Sequence, residues 1–189
     1  IVKNGGQVFM SKKKHSCGTD RVCEASSHFN SDVVINVQGD EPFVNVKSIK
    51  KMINTFKDQD NKDIHAVSLF YKTNDPVLVD DKNCVKVVID KNNCAMYFSR
   101  SEIPFTKNSK NNHEFFIHVG VYGFLRQSII KFSSLKPSTL EKKESLECIR
   151  FIENAKKIKM IQIESPTIGI DTPHDITRAK NYLKSVQNV

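Results

Sequence analysis

Asp32-Val33-Val34-Ile35-Asn36-Val37-Gln38-Gly39-Asp40-Glu41-Pro42 joins an apolar run to a polar loop that contains glycine. The run from Asp32 to Gln38 reads as a strand buried on both faces of a parallel sheet. In open α/β sheets, ligands bind outside the carboxyl ends of the strands. Chemistry is therefore sought in the loop after Val37. Gly39 lets a ligand approach the backbone closely. Asp40 offers oxygen to a hard cation such as Mg²⁺, with waters and phosphates completing the shell. The plain alternative is an acidic turn closed by Pro42, and this stretch alone does not choose between them.

Working outward, strands and helices alternate. Gln7 to Met10 reads as a short strand and Thr19 to Phe29 as a helix. Val46 to Lys57 follows as a helix, with Ile49, Met52, Ile53 and Phe56 at helical spacing. His65 to Tyr71 is a strand. Cys84 to Ile89 and Ala95 to Ser99 flank a turn at Asp90-Lys91-Asn92-Asn93, a hairpin signal. Thr106 to Glu114 is polar and loop-like. Phe116 to Phe124 is a strand, Gln127 to Leu135 a helix, Leu140 to Ala155 a longer helix, and Ile158 to Ile163 a strand. Pro173 to Val186 is the last helix, with proline in its first turn. The class is α/β, one domain over 1–189, with a mostly parallel sheet and a small antiparallel hairpin insertion.

Composition narrows the function. The 189 residues contain no apolar run long enough to span a bilayer, and the first residues lack the pattern of a signal peptide. The five cysteines form no CxxC and have no histidine at zinc spacing, which suggests reduced thiols in a cytoplasmic protein. Net charge is +8. The lysines are scattered and not interleaved with aromatics, so a solvated surface accounts for them better than a nucleic-acid platform.

Other segments carry polar groups suited to chemistry, each with a plain alternative. Thr167-Ile168-Gly169-Ile170-Asp171-Thr172-Pro173 places Asp171 before a helix, as a metal ligand paired with Asp40 or as an N-cap. His15-Ser16-Cys17-Gly18-Thr19-Asp20-Arg21 opens a helix and suits an anion or a polar base, or is an ordinary capped start. Arg100 suits a carboxylate, or sits on the surface. His118, Gly120 and Tyr122 lie on one side of a strand, where the histidine is a site residue or a satisfied core group. Glu144 and Glu147, three apart, are expected to share a helix face, toward the site or toward solvent. No GxGxxG or GxxxxGK[ST] occurs.

In order along the chain, CGTDR at 17–21, NVQGDEP at 36–42, VKVVID at 85–90, YFSRSEIP at 97–104, HVGVYGF at 118–124, LEKKESLE at 140–147 and GIDTP at 169–173 resemble the CMP-Kdo synthetase family. The resemblance implies a Rossmann-like nucleotidyltransferase, usually a homodimer. Such an enzyme joins CTP and the sugar acid Kdo into CMP-Kdo and pyrophosphate with Mg²⁺, for lipopolysaccharide biosynthesis. It assigns Asp40 and Asp171 to catalysis and the metal. It puts Ser16, Gly18, Thr19, Arg21 and Gly39 on the nucleotide side. Gln38, Arg100, His118, Tyr122, Glu144 and Glu147 fall on the sugar-acid side. No nucleic acid or membrane partner is implied.

Three departures from the family pattern stand out. Cys17 stands where serine is commoner, and Cys148 where glutamine commonly follows the second glutamate. The family's opening strand and phosphate-gripping loop have no counterpart, and Ile1 to Gly6 reads as the end of a helix. On the order of 50 upstream residues are therefore expected. A chain without them is expected to be poorly stable or inactive, an inactive remnant. The intact protein is expected to be an active enzyme for Kdo or for a related acid sugar.

Overall fold

The structure is a computed structural model and describes residues 1–58, 61, 63–107, 113–164, 169–170 and 173–187. Its centre is one sheet of six strands: β1 (Val33–Val37), β2 (Ile64–Thr73), β3 (Lys86–Ile89), β4 (Ala95–Ser99), β5 (Phe115–Leu125) and β6 (Lys157–Gln162). The path runs β4-β3-β5-β2-β6, and β1 pairs with β5. Around it lie α1 (Gly18–Ser26), α2 (Val46–Thr55), α3 (Pro76–Asp80), α4 (Arg126–Ser134), α5 (Thr139–Glu144), α6 (Ile149–Glu153) and α7 (Pro173–Gln187).

Period-2 alternation divides the core between the two faces of the sheet. On β2, Ala66 and Phe70 face one cluster, with Phe124, Phe132, Phe151 and Ile158. Val67, Leu69 and Tyr71 face the other, with Met52 of α2, Ile117 and Val121. Rings of Tyr122, Phe124, Phe151 and Phe132 stack in sequence at 6.0, 5.8 and 4.9 Å between centroids. Burying each such ring contributes about 2–3 kcal/mol. The stack ties the middle of β5 to α6 and α4.

The α/β class stands, but the sheet is mixed where the sequence pattern predicts it mostly parallel. Among the described residues, β1–β5, β2–β5, β3–β5 and β3–β4 are antiparallel, and only β2–β6 is parallel. β1, β2, β3 and β6 do run in one direction. The long strand β5 runs against them and sits between them, and alternation of element types carries no information about that insertion. β1 is accordingly half-buried along most of its length, not buried on both faces. The predicted hairpin forms as β3 and β4 and joins the main sheet through β5.

Two predicted elements differ further. Gln7 to Met10 is not a strand: Val8 and Met10 are exposed, and no described strand edge accepts their hydrogen bonds. The predicted helix from Leu140 to Ala155 is broken into α5 and α6. Ser145 takes a left-handed conformation, φ 54° and ψ 43°, and ends α5. α5 itself opens on a capping box between Ser138 and Glu141.

Candidate active site

β5 has one edge paired with β2 and the other shared by two strands. β1 pairs from Leu125 to Val121 and stops at Val37. β3 takes over at Ile117, and His118 N donates to Val85 O at 2.8 Å. Between the end of β1 and the start of β3, the edge opens at Gly120. The β2–β5 register shifts at the same place, from Ser68↔Tyr122 to Leu69↔Val119, so Gly120 and Val121 bulge. A Cβ on Gly120 would lie 3.9 Å from Gln38 Nε2, so the backbone lies close to that amide.

The fork opens into a cleft of about 1160 Å³ lined by Gln38, Asp40, Arg100, His118, Tyr122 and Glu147, among others. Its position outside the carboxyl end of β1 is the one the sequence pattern predicts.

His118 Nε2 lies 2.8 Å from Ser68 Oγ, and Ser68 Oγ lies 2.8 Å from Val121 O. A hydroxyl has one hydrogen. Given to Val121 O, it obliges His118 to donate from Nε2, which leaves Nδ1 an acceptor. The ring sits between Phe98 and Tyr122, at 4.9 and 5.3 Å. Burial pushes its pKa down to about 3, so the imidazole is neutral. The Tyr122 phenol is pushed well above its ordinary range by burial, with Cys148 and Glu147 adding to the shift.

The start of α1 lies across the cleft. Cys17 is its N-cap but gives no side-chain capping bond. Its thiol is pushed up to about 12, first by burial and then by a hydrogen bond to Glu147. At the departure from serine the group is thus a neutral thiol, 3.8 Å from Arg150 Nη2. Ser16 lines the cleft and donates to Asp20. Thr19 is buried and gives its hydroxyl to Glu147, and its N–H donates to the same carboxylate at 3.3 Å. Gly18 and Arg21 are exposed and are not among the lining residues.

The break between α5 and α6 separates the two glutamates that the sequence pattern puts on one helix face. Glu144 ends α5 and accepts from Ser99 Oγ at 2.7 Å and Arg100 N at 3.0 Å. Glu147 lies in the turn and holds Thr19. Arg100 lines the cleft and donates from Nε to Glu144 O and from Nη1 to Lys82 O, each at 2.9 Å. Nη2 has no partner among the described residues.

Asp40 lines the cleft half-buried, and its carboxylate has no protein partner among the described residues. Gly39 is exposed beside it. Ile170 N donates to Asp40 O at 2.8 Å, which docks the later loop on the earlier one. Asp171 lies outside the described residues. No group of three or more His, Cys, Asp or Glu that could hold a metal occurs among the described residues. Mg²⁺, however, commonly takes one or two carboxylates and leaves the rest to phosphates and water. Carboxylates also outnumber cationic side chains along the cleft wall. Asp40, a carboxylate without a protein partner among the described residues, is a donor that fits Mg²⁺ in such a cleft.

The sequence reading misses the wall built by α3 and its flanks. Asp75, Leu78, Asp81 and Asn83 line the cleft, joined by Arg178 of α7. The signal for α3 was present in Asp75-Pro76: Asp75 caps Val77 N at 2.9 Å, with proline at the first turn.

A family model described as cytidylyltransferase matches residues 1–158. The 3-deoxy-manno-octulosonate cytidylyltransferase of Christiangramia forsetii is 40% identical over 183 residues, 97% of this chain and 74% of that protein. The chain belongs to this cytidylyltransferase family. The enzyme of the same name from Fusobacterium nucleatum is 39% identical over 185 residues, again 97% of this chain and 74% of the relative. Among solved structures, CMP:2-keto-3-deoxy-manno-octonic acid synthetase complexed with CTP matches all of this chain and 76% of its own, at TM-score 0.88 and 28% identity. A putative glucose-1-phosphate thymidylyltransferase from Bacillus anthracis shares the fold at TM-score 0.60 and 16% identity, over 93% of this chain and 64% of its own. No helix among the described residues is long and apolar enough to cross a membrane.

Proposed function

We propose that this cytidylyltransferase transfers CMP from CTP to Kdo, releasing pyrophosphate. The observation that carries the reading is the fork at Gly120, which sets neutral His118, Tyr122, Gln38 and Arg100 around a cleft that the carboxylate of Asp40 also enters. The anomeric oxygen of the sugar acid attacks the α-phosphorus. Its bond forms as the bond to pyrophosphate breaks, and the hydroxyl proton passes to solvent water during the attack. Arg100 offers Nη2 to the sugar carboxylate. His118 Nδ1 and the Tyr122 hydroxyl supply an acceptor and a donor for sugar hydroxyls. Gln38 offers an amide at the opening, and Glu144 and Glu147 fix the walls. Ser16 and the start of α1 supply the nucleotide side, with Thr19 holding Glu147 behind it; Gly18, Arg21 and Gly39 are assigned there by the family resemblance alone.

Asp40 and Asp171 are proposed to hold Mg²⁺, which when bound neutralises triphosphate charge and acidifies the attacking hydroxyl. Binding and orientation by the chain itself then supply the rest of the rate. We place the reaction in the cytoplasm, in lipopolysaccharide biosynthesis and in a homodimer. Five free cysteines among the described residues support the reducing compartment, and the likeness to 3-deoxy-manno-octulosonate cytidylyltransferases supports the pathway.

The test is pyrophosphate release by the full-length protein with CTP, Kdo and Mg²⁺, beside controls without Kdo and with sialic acid. Kdo-dependent release that EDTA abolishes is expected. Asp40→Asn is expected to lower it about 100-fold or more. Release with sialic acid and not Kdo would transfer the reading to another acid sugar, and no sugar-dependent release would end it.

A further inference from the structure

Lys86 opens β3 and is wholly buried, with 0% of its surface exposed. Its ammonium donates to Cys84 O and Arg100 O at 2.7 Å each and to Asp81 O at 3.0 Å. Three ammonium hydrogens meet three main-chain carbonyls. No ion pair to it occurs among the described residues. Burial lowers its pKa, against the opposing pull of Cys84, Asp81 and Asp80. A buried charge without a counter-ion is costly, and an apolar side chain of similar length would fill the same space without that cost. What the ammonium adds is a cross-link: it ties the loop of Asp81 to Cys84 to the backbone of Arg100.

That loop also carries Lys82, whose carbonyl receives Arg100 Nη1 at 2.9 Å. Lys86 thus fixes both the main chain of Arg100 and one of the two carbonyls on which its guanidinium docks. The other, Glu144 O, comes from α5. Lys86 itself is not among the residues that line the cleft. We infer that Lys86 is a positioning residue that acts through Arg100 to aim the guanidinium at the sugar-acid carboxylate. The inference rests on the function proposed above.

The test compares Lys86→Met, Arg100→Ala and the double variant in the full-length protein, with CTP and Kdo varied separately. Lys86→Met is expected to raise the KM for Kdo about tenfold, less than the roughly 100-fold that a 1 Å misplacement can cause. The KM for CTP and kcat are expected to stay within about threefold. In the Arg100→Ala background the same substitution is expected to change the KM for Kdo less than about twofold, because its route is already gone. Lys86→Gln, which keeps two donors, is expected to fall between wild type and Lys86→Met. Equal rises in both KM values, multiplying effects in the double variant, or an unchanged KM for Kdo would overturn the inference. So would failure of both Lys86 variants to fold, which would make the residue a purely structural one. A wild-type protein without Kdo-dependent release overturns the proposed function and this inference together, whereas a failed Lys86 arm beside an active wild type removes only the inference.

Discussion

At the scale of the residue, His118 shows how a polar group in the site is kept neutral. Its Nε2–H is committed to Ser68, its ring is enclosed by Phe98 and Tyr122, and its pKa is pushed down to about 3. In the unfolded chain the ring titrates near 6.5. Between these values the unfolded state binds a proton that the native state refuses, so stability rises with pH across that window and falls on acidification. From pH 7 to pH 5 the loss attributable to this ring is about 2 kcal/mol. Urea unfolding at both pH values checks this: His118→Gln should lose roughly 2 kcal/mol less than wild type over the same interval, and an unchanged difference would refute it. Residues of this kind were readable in the sequence because strand period places His118, Gly120 and Tyr122 together. Lys86 was not, since a lysine flanked by valines reads as the exposed side of an alternating strand. Only the three carbonyls that surround it, drawn from two separate segments, explain its burial.

At the scale of the element, the turn between α5 and α6 is what points the two glutamates in different directions. The sequence from Leu140 onward is helical in pattern, and nothing local marks Ser145 as a stop, because a left-handed serine has no compositional signature. The break is imposed by packing: Glu144 closes on Ser99 and Arg100, while Glu147 turns to Thr19. A non-glycine residue in the left-handed region carries strain, and glycine relieves it. Ser145→Gly is expected to raise unfolding stability by up to about 1 kcal/mol. Ser145→Val, β-branched, is expected to lower it by roughly 1–3 kcal/mol. Chemical denaturation of both variants separates the cases, and a valine variant as stable as wild type would show that the turn does not hold this conformation in solution. The mixed sheet has a similar origin. β5 is readable as a strand, but its direction depends on which edge it enters, and that is settled by contacts far away in sequence.

At the scale of the whole molecule, the nucleotide-side and sugar-side segments are joined behind the cleft by one buried cation. Arg150 of α6 is 1% exposed. It bonds Glu141 of α5 through Nε at 2.8 Å and through Nη2, reaches Asp20 of α1 at 3.4 Å, and lies over the Phe132 ring of α4 at 4.2 Å. Four helices that precede or follow β5 thus meet at one guanidinium. A pair this deeply buried adds little net stability over an apolar pair, but removing one partner leaves the other charged and unsolvated. Arg150→Met is therefore expected to cost roughly 3–5 kcal/mol, with Glu141 stranded. Arg150→Met combined with Glu141→Leu removes the buried pair, leaves Asp20 with its bond from Ser16, and should recover most of that loss. The remainder should be about 1 kcal/mol, because Glu141 also closes the capping box with Ser138. Urea unfolding of the single and double variants decides the matter. A double variant no more stable than the single one would mean that the pair itself, and not the avoidance of an orphaned carboxylate, holds α1 and α5 to the back of the cleft.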